Sequence, residues 1–355
     1  MRFMARLHAK SGGPGVSVVI PVRDRREELA RCLALTRRAA LAAGRRAEVI
    51  VVDDGSRDGT DRMVRATGGK WRGRPALRLV RFPSSRGPAA ARNAGARAAR
   101  APLVAYLDSD CLPDRGWLGG LIRDLDRTGA DAVEGRTKPA ERPPYGVHDV
   151  VVANAGEVTG FTLNLVRRDA LLEAGGLDER FDRPHCREDT DFLFKLLTRG
   201  RIVRGSSAVM RHPVRRAGPG RFLRDTRFGV HEGLLFLKHP GLYLTRLKWI
   251  DGMAFPVYYL GWYAAACWAV MAAAGVGTWA GAGAAAALAL ASLGATLFAW
   301  VRGGKRVASW AGLVAEAVAV PFARLWWVGT GALRAAGIAL RGEIHADSNR
   351  SLRRG

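Results

Sequence analysis

Short apolar runs alternating with helical patterns constrain this chain more than any other feature. VSVVIP (Val16 to Pro21), EVIVVDD, LRLVRF and APLVAYLD each read as a buried strand. Between the first two, Glu27 to Ala43 places Leu29, Cys32, Leu33 and Ala40 on one helical face, and Gly44 ends it. DGSRDGTDRMVRA turns into a second helix, and GPAAARNAGARAAR opens a third at Gly87 and Pro88. Strands alternating with helices predict an α/β fold with a mostly parallel central sheet. Ligands in such sheets gather at the carboxyl ends of the strands. After Trp117 the pattern loosens. DAVEGR and GFTLNLVRR look like further strands, TKPAERPPYGVHD is a Pro-rich loop, and DTDFLFKLLTRG is an amphipathic helix with Lys195 and Arg199 on its polar face.

Three acidic clusters fall on this scaffold. Asp53 and Asp54 end a strand before Gly55 and Ser56, where a carboxylate can accept from a nucleobase N–H or a ribose hydroxyl, although Asp-Gly-Ser is also ordinary turn chemistry. Asp108 and Asp110 flank Ser109. In an extended segment both carboxylates point the same way, which suits Mg²⁺ or Mn²⁺ with diphosphate oxygens completing the shell. Glu188 and Asp189 precede a helix, either as partners of its dipole or as a general base acting on an acceptor hydroxyl. Asp182 and Asp191 are rivals for that role, and spacing does not choose among them. In SSRGPAAARNAG, Gly87 and the helix N–H groups allow close approach by an anion, with Arg86 and Arg92 adding charge. His212 is either structural or a further ligand of the metal or diphosphate.

Taken together, VSVVIPVRDR, VIVVDDGSRDGT, RGPAAARNAGARAA, LVAYLDSDCLPDRGWL, GFTLNLVRRDALLEAGGLDERF and REDTDFLFKLLTRG resemble glycosyltransferase family 2 over about residues 15–215. The resemblance implies a GT-A fold, a Rossmann-like nucleotide-binding half fused to an acceptor half. It implies an inverting single displacement from a nucleotide-diphosphate sugar, UDP-linked by preference, with Mg²⁺ or Mn²⁺ on the diphosphate. By position, Pro21, Val22 and Arg23 would line the base pocket, and Asp53 or Asp54 would hold the nucleoside. Arg86, Gly87, Arg92 and Asn93 would border the donor, with Asp108 and Ser109 beside it. Asp110 would be the more direct metal ligand, joined by Asp108 and His212. Asp189 would be the base, Glu188 would place acceptor or sugar, and Thr162 and Asn164 would line the sugar and acceptor site. No QxxRW follows Asp189, which points to transfer of a single sugar rather than processive synthesis. A polyprenyl-phosphate sugar synthase of the same fold is the alternative, as is a non-catalytic basic protein that binds membrane or nucleic acid.

Residues 254–301 carry no Asp, Glu, Lys, Arg or His. A helix of that length would measure roughly 70 Å against a hydrocarbon core of about 30 Å. Two spans are therefore expected, near 254–274 and 282–301, with 307–333 a third, spanning or re-entrant, and 254–340 the membrane region. RGGKR after the second span predicts that loop in the cytoplasm, and with it the catalytic domain of a multi-pass protein of a bacterial-type plasma membrane. The net charge of +24 then favours an anionic leaflet and a lipid-linked or glycan acceptor, with no nucleic-acid partner expected. Residues 1–14 read as a flexible start, 216–253 as a basic amphipathic linker whose Phe222, Phe228, Leu234 and Leu235 either dip into lipid or pack as a plain linker helix, and 341–355 as a basic tail. Four cysteines without metal spacing fit a reduced compartment, and no cleavable signal is apparent.

Overall fold

The computed structural model describes residues 13–141, 148–149, 163–216, 221–247, 260–274, 279–302 and 310–343. The chain divides into two units: one holds the described residues up to Glu141 and from 163 to Pro213, the other His148–Asp149 and the described residues from Val214 onward.

The first unit is built as its apolar periodicity dictates. β1 (Val16–Val22), α1 (Arg26–Leu41), β2 (Ala47–Asp53), α2 (Thr60–Trp71), β3 (Ala76–Arg81), α3 (Pro88–Ala98) and β4 (Leu103–Tyr106) follow in turn. β1 pairs in parallel with both β2 and β4, and β2 pairs in parallel with β3. Beyond β4 come β5 (Leu112–Pro113), α4 (Trp117–Thr128), β6 (Ala132–Pro139), the second unit's β7 (His148–Asp149), β8 (Leu163–Arg167), α5 (Arg168–Glu173), α6 (Glu188–Leu197) and β9 (Ile202–His212). The sheet order is β3-β2-β1-β4-β8-β6-β9-β5. β6 and β9 pair in parallel, whereas β8 runs antiparallel to β4 and β6, and β5 antiparallel to β9, so the mostly parallel sheet is mixed.

Both faces of the sheet are covered. Leu29, Cys32, Leu33, Trp117, Leu118 and Leu121 of α1 and α4 pack on one face. Ala89, Ala90, Ala94 and Ala96 of α3, with Phe192 and Leu196 of α6, pack on the other. Helix α4 and strand β9 had no clear sequence signature: Gly119 and Gly120 dilute the helical pattern, and charged residues interrupt the strand. Lys195 is not on a solvent face. It is buried, with Nζ 2.8 Å from the fully buried Asp191 and donating to the Gly176 carbonyl.

In the second unit, β7 pairs with β10 (Arg215–Arg216). α7 (Arg221–Asp225), a 3₁₀ segment Thr226–His231 and α8 (Glu232–Lys238) pack with the long helix Trp310–Leu340. The backbones approach closely there: a Cβ on Gly233 would meet the Ala332 Cα at 2.8 Å. Leu234 and Leu235 are buried, so they do not reach lipid; they pack as the core of a small helical layer. Tyr243 donates a hydrogen bond to the buried Glu232 carboxylate (2.6 Å).

The described residues do not support the expected membrane spans. Among the described residues no helix is long and apolar enough to cross a membrane. The helix Leu260–Ala273 has 14 residues, about 21 Å, short of a hydrocarbon core of about 30 Å. Residues 254–259 and 303–309 lie outside the described residues, as do 1–12 and 344–355.

Candidate active site

The first acidic cluster holds the chain together. Asp53 accepts from the Ser56 N–H (2.8 Å) and lies 3.3 Å from the Arg81 Nε. Asp54 accepts three hydrogen bonds, from the Ser85 hydroxyl and the Arg86 and Gly87 N–H groups. Its own N–H donates to the Val22 carbonyl (2.8 Å), so the loop 84–87 is tied to the end of β1. Pro21 is half-buried, Val22 buried and Arg23 exposed at that strand end.

The α3 N-terminus, expected to receive a ligand anion, already holds one from the chain. Asp182 accepts from the Ala89 and Ala90 N–H groups at 2.8 and 3.1 Å. This is ordinary dipole chemistry, with the carboxylate supplied from a distant loop. Gly87 makes the approach possible: its φ is +111°, and a Cβ there would collide with the Asp182 carboxylate. One turn on, the fully buried Asn93 takes the Leu177 N–H on its Oδ1 and donates to the Leu177 carbonyl and Glu179 Oε1. Arg86 pairs with Glu179 at 3.3 Å and lies over the Phe82 ring. Asn93 and Gly87 are thus consumed in holding residues 177–182 against α3. Asp182 caps α3, and Asp191 forms a buried ion pair with Lys195.

The second and third clusters meet through Arg92. This largely buried guanidinium donates to Asp108 Oδ1 at 2.8 Å and to Glu188 Oε1 at 3.4 Å. Crowding by the surrounding walls would alone raise the Asp108 carboxyl. The Arg92 charge and hydrogen bond, aided by His212 and Arg25, hold it below its usual range. Glu188 behaves oppositely: burial, then the neighbouring Asp189, push its carboxyl well above the usual range despite Arg92. Asp189 is half-buried and accepts from the Thr190 N–H (2.7 Å) at the start of α6.

Asp108 to Cys111 is not the extended segment expected of alternating carboxylates. The Cys111 N–H donates to the Asp108 carbonyl at 3.0 Å, closing a turn, and the buried Ser109 sits inside it. The turn separates the two carboxylates. Asp108 faces Arg92, whereas buried Asp110 has its Oδ2 2.5 Å from Arg25 Nη1 and 3.9 Å from His212 Nε2. Asp110, Cys111 and His212 each offer one ligand atom within 4.8 Å of the others; Asp108 is not in this group. Atoms bound to one ion at about 2.0–2.3 Å lie about 3.3–3.8 Å apart in a tetrahedral shell, so the three would close by up to about 1.5 Å on binding one ion. The His212 Nδ1 lies 2.8 Å from the Pro213 carbonyl. A carbonyl only accepts, so Nδ1 carries the proton and Nε2 keeps its lone pair for a ligand. The donor set therefore fits a divalent cation.

Asn164 is buried, accepting from the Gly135 N–H at 3.0 Å and donating to the Tyr106 carbonyl at 3.4 Å, where β4, β6 and β8 meet. Thr162 lies outside the described residues. Sequence reasoning missed Arg25, Cys111 and Cys32, whose thiol points at the Asp108 carbonyl (3.6 Å) and is pushed up to about 12 by burial. Only Cys111 carried a signal, as a further donor directly after DSD. An open cavity of about 1060 Å³ lies at the opposite, amino edge of the sheet, lined by Arg45, Arg46, Arg74 and Arg100. It contains none of these residues, and the charge constellation at the carboxyl edge marks the site instead.

The family model described as glycosyl transferase family 2 matches residues 17–150. A glycosyltransferase of Mycobacterium bovis is 34% identical over 187 residues, covering 48% of this chain and 76% of that protein. This chain belongs to glycosyl transferase family 2. The pre-mycofactocin glycosyltransferase of Mycobacterium tuberculosis is 32% identical over 244 residues, covering 63% of this chain. The chain spans only about half, 48%, of that relative's length. Among solved structures, a mannosyltransferase from Pyrobaculum calidifontis in complex with GDP-Man and Mn²⁺ superposes with a TM-score of 0.57 at 22% identity. That likeness covers 89% of this chain and 88% of that one, and it shows a shared fold. The first unit of this chain is an α/β, GT-A-like domain of that family.

Proposed function

We propose that this glycosyltransferase is inverting and metal-dependent, and moves one sugar from a UDP-linked donor to a hydroxyl of a membrane-associated acceptor, lipid-linked or glycan. The observation that carries the reading is Arg92, one buried guanidinium that joins Asp108 to Glu188 beside Asp189. Carboxylates far apart in the chain thereby converge at the carboxyl edge of the sheet, where ligands of such folds bind.

Pro21, Val22 and Arg23 line the base, and Asp54 holds the loop 84–87 beside them. Arg92, with Arg86 nearer solvent, attracts the diphosphate and stabilises negative charge as the nucleoside diphosphate leaves. A divalent ion such as Mg²⁺ or Mn²⁺, held by Asp110 and His212, would supply further positive charge to the leaving group. Asp189 takes the proton of the acceptor hydroxyl as that oxygen bonds to the anomeric carbon and the bond to diphosphate breaks on the opposite side. Glu188, its carboxyl raised, keeps its proton near neutrality and donates a hydrogen bond to sugar or acceptor.

The second unit supports a membrane-associated acceptor. Trp326, Trp327, Leu333 and Leu340 are exposed on the helix Trp310–Leu340. Arg324 and Arg334 lie on the same helix and Arg341 just beyond it, a composition suited to the surface of an anionic cytoplasmic leaflet.

Asp189→Asn should lower transfer by about 10³-fold, within the range a lost base produces with associated positioning. Donor binding, read by thermal shift with nucleotide sugars and Mn²⁺, should be unchanged. Loss of donor binding would remove Asp189 as the base. Full residual turnover would favour an acceptor that needs no deprotonation, such as a lipid phosphate.

A further inference from the structure

A reading based on two aspartates gives this cation site oxygen donors alone, but the geometry brings in sulfur. Cys111 is buried directly after Asp110, and its Sγ lies within 4.8 Å of both the Asp110 oxygen and the His212 nitrogen. The His212 Nε2 is oriented for ligation by the Nδ1 contact to Pro213. Oxygen, nitrogen and sulfur in one group favour soft or borderline ions over Mg²⁺. Arg25 meanwhile sits on Asp110 and supplies the positive charge that an incoming ion would replace.

The geometry points to a thiophilic metal site: Asp110, Cys111 and His212 close on Zn²⁺ or Cd²⁺, displace Arg25 from Asp110, and arrest the enzyme. Mg²⁺ and Mn²⁺ leave Cys111 as a thiol and use Asp110 and His212 only. A soft ion forms a metal–sulfur bond as the S–H bond breaks, the proton passes to water, and no electron is transferred. Tight capture then blocks exchange with the ion that works with the donor. This inference rests on the reading of Asp110 as a cation ligand and adds the class of ion that inhibits there.

The test uses the full chain with Cys186→Ser and Cys267→Ser, because those two thiols are less buried and would bind cadmium on their own. Cadmium titration should give an ultraviolet thiolate-to-metal charge-transfer band with one-to-one stoichiometry. The band should vanish in Cys111→Ser or Cys111→Ala and survive in Cys32→Ser. Mn²⁺ binding, followed by electron paramagnetic resonance, should be unchanged in Cys111→Ser, and the zinc concentration that halves transfer should rise at least tenfold. No band, or a band that persists without Cys111, would overturn the thiophilic site. Absent Mn²⁺ binding alongside an intact band would instead overturn the metal-dependent transferase and leave the thiophilic site standing.

Discussion

The loop 84–87 and the turn 108–111 both meet carboxylates at the carboxyl edge of one sheet, yet those carboxylates are spent differently. Around the loop, Asp54 and Asp182 accept only from hydroxyl and backbone N–H groups. Leaving the buried Ala89 and Ala90 N–H groups unpaired would cost their full desolvation, and the half-buried donors to Asp54 part of it. Around the turn, the partners are Arg92, Arg25 and His212, which are side chains that can turn to a ligand. A carboxylate bonded to backbone is part of the fold. One bonded to mobile charge is available for chemistry.

This contrast can be broken in several ways. Asp110→Asn should show the largest effect, a loss of transfer on the order of 10³-fold, since it weakens a cation ligand while stability changes by less than about 1 kcal/mol. A large fall in melting temperature with activity retained per folded molecule would reverse the contrast. Asp54→Ala should do the opposite. It leaves three half-buried donors without their acceptor and should cost about 2 kcal/mol in denaturant unfolding, with donor affinity lost only as far as the fold is lost. An unchanged unfolding midpoint would mean that the loop is held by something else.

The smallest effect concerns pH. Because Glu188 is raised in the folded state, the fold binds more protons there than the unfolded chain does, between the ordinary glutamate value near about 4.3 and the raised one. Its stabilising contribution is therefore full below that window and is lost as pH rises through it. Glu188→Gln should flatten this part of the profile, gaining on the order of 1 kcal/mol on the wild type above neutrality relative to pH 5. Parallel melting profiles from pH 5 to about 9 would show that the burial of Glu188 has no such consequence.

Much of this was legible in the sequence, and the limits have physical causes. β1 to β4 and α1 to α3 follow from local periodicity, and the three acidic clusters fall at strand and helix ends by the same logic. The features that the sequence concealed depend on partners far along the chain. Nothing near Asp182 indicates that it caps α3, and nothing near Asn93 points to Leu177. Lys195 matched the polar face of a helix, but Asp191 one turn earlier lets it be buried. Asp108 and Asp110 looked equivalent in an extended run; the Cys111 N–H closes the turn that sends them to different partners. The uncharged run 254–301 promised membrane spans. Its described helices are Leu260–Ala273 and Trp279–Arg302, and among the described residues no helix is long and apolar enough to cross a membrane.

The central claim is that the donor binds at the carboxyl edge, between Asp110 and Asp189. A crystal structure with an intact nucleotide-diphosphate sugar and Mn²⁺ tests it most directly. The account predicts the diphosphate beside Arg92, the ion on Asp110 and His212 with Arg25 withdrawn, and the anomeric carbon facing Asp189. A donor seated instead among Arg45, Arg74 and Arg100 at the amino edge would contradict it.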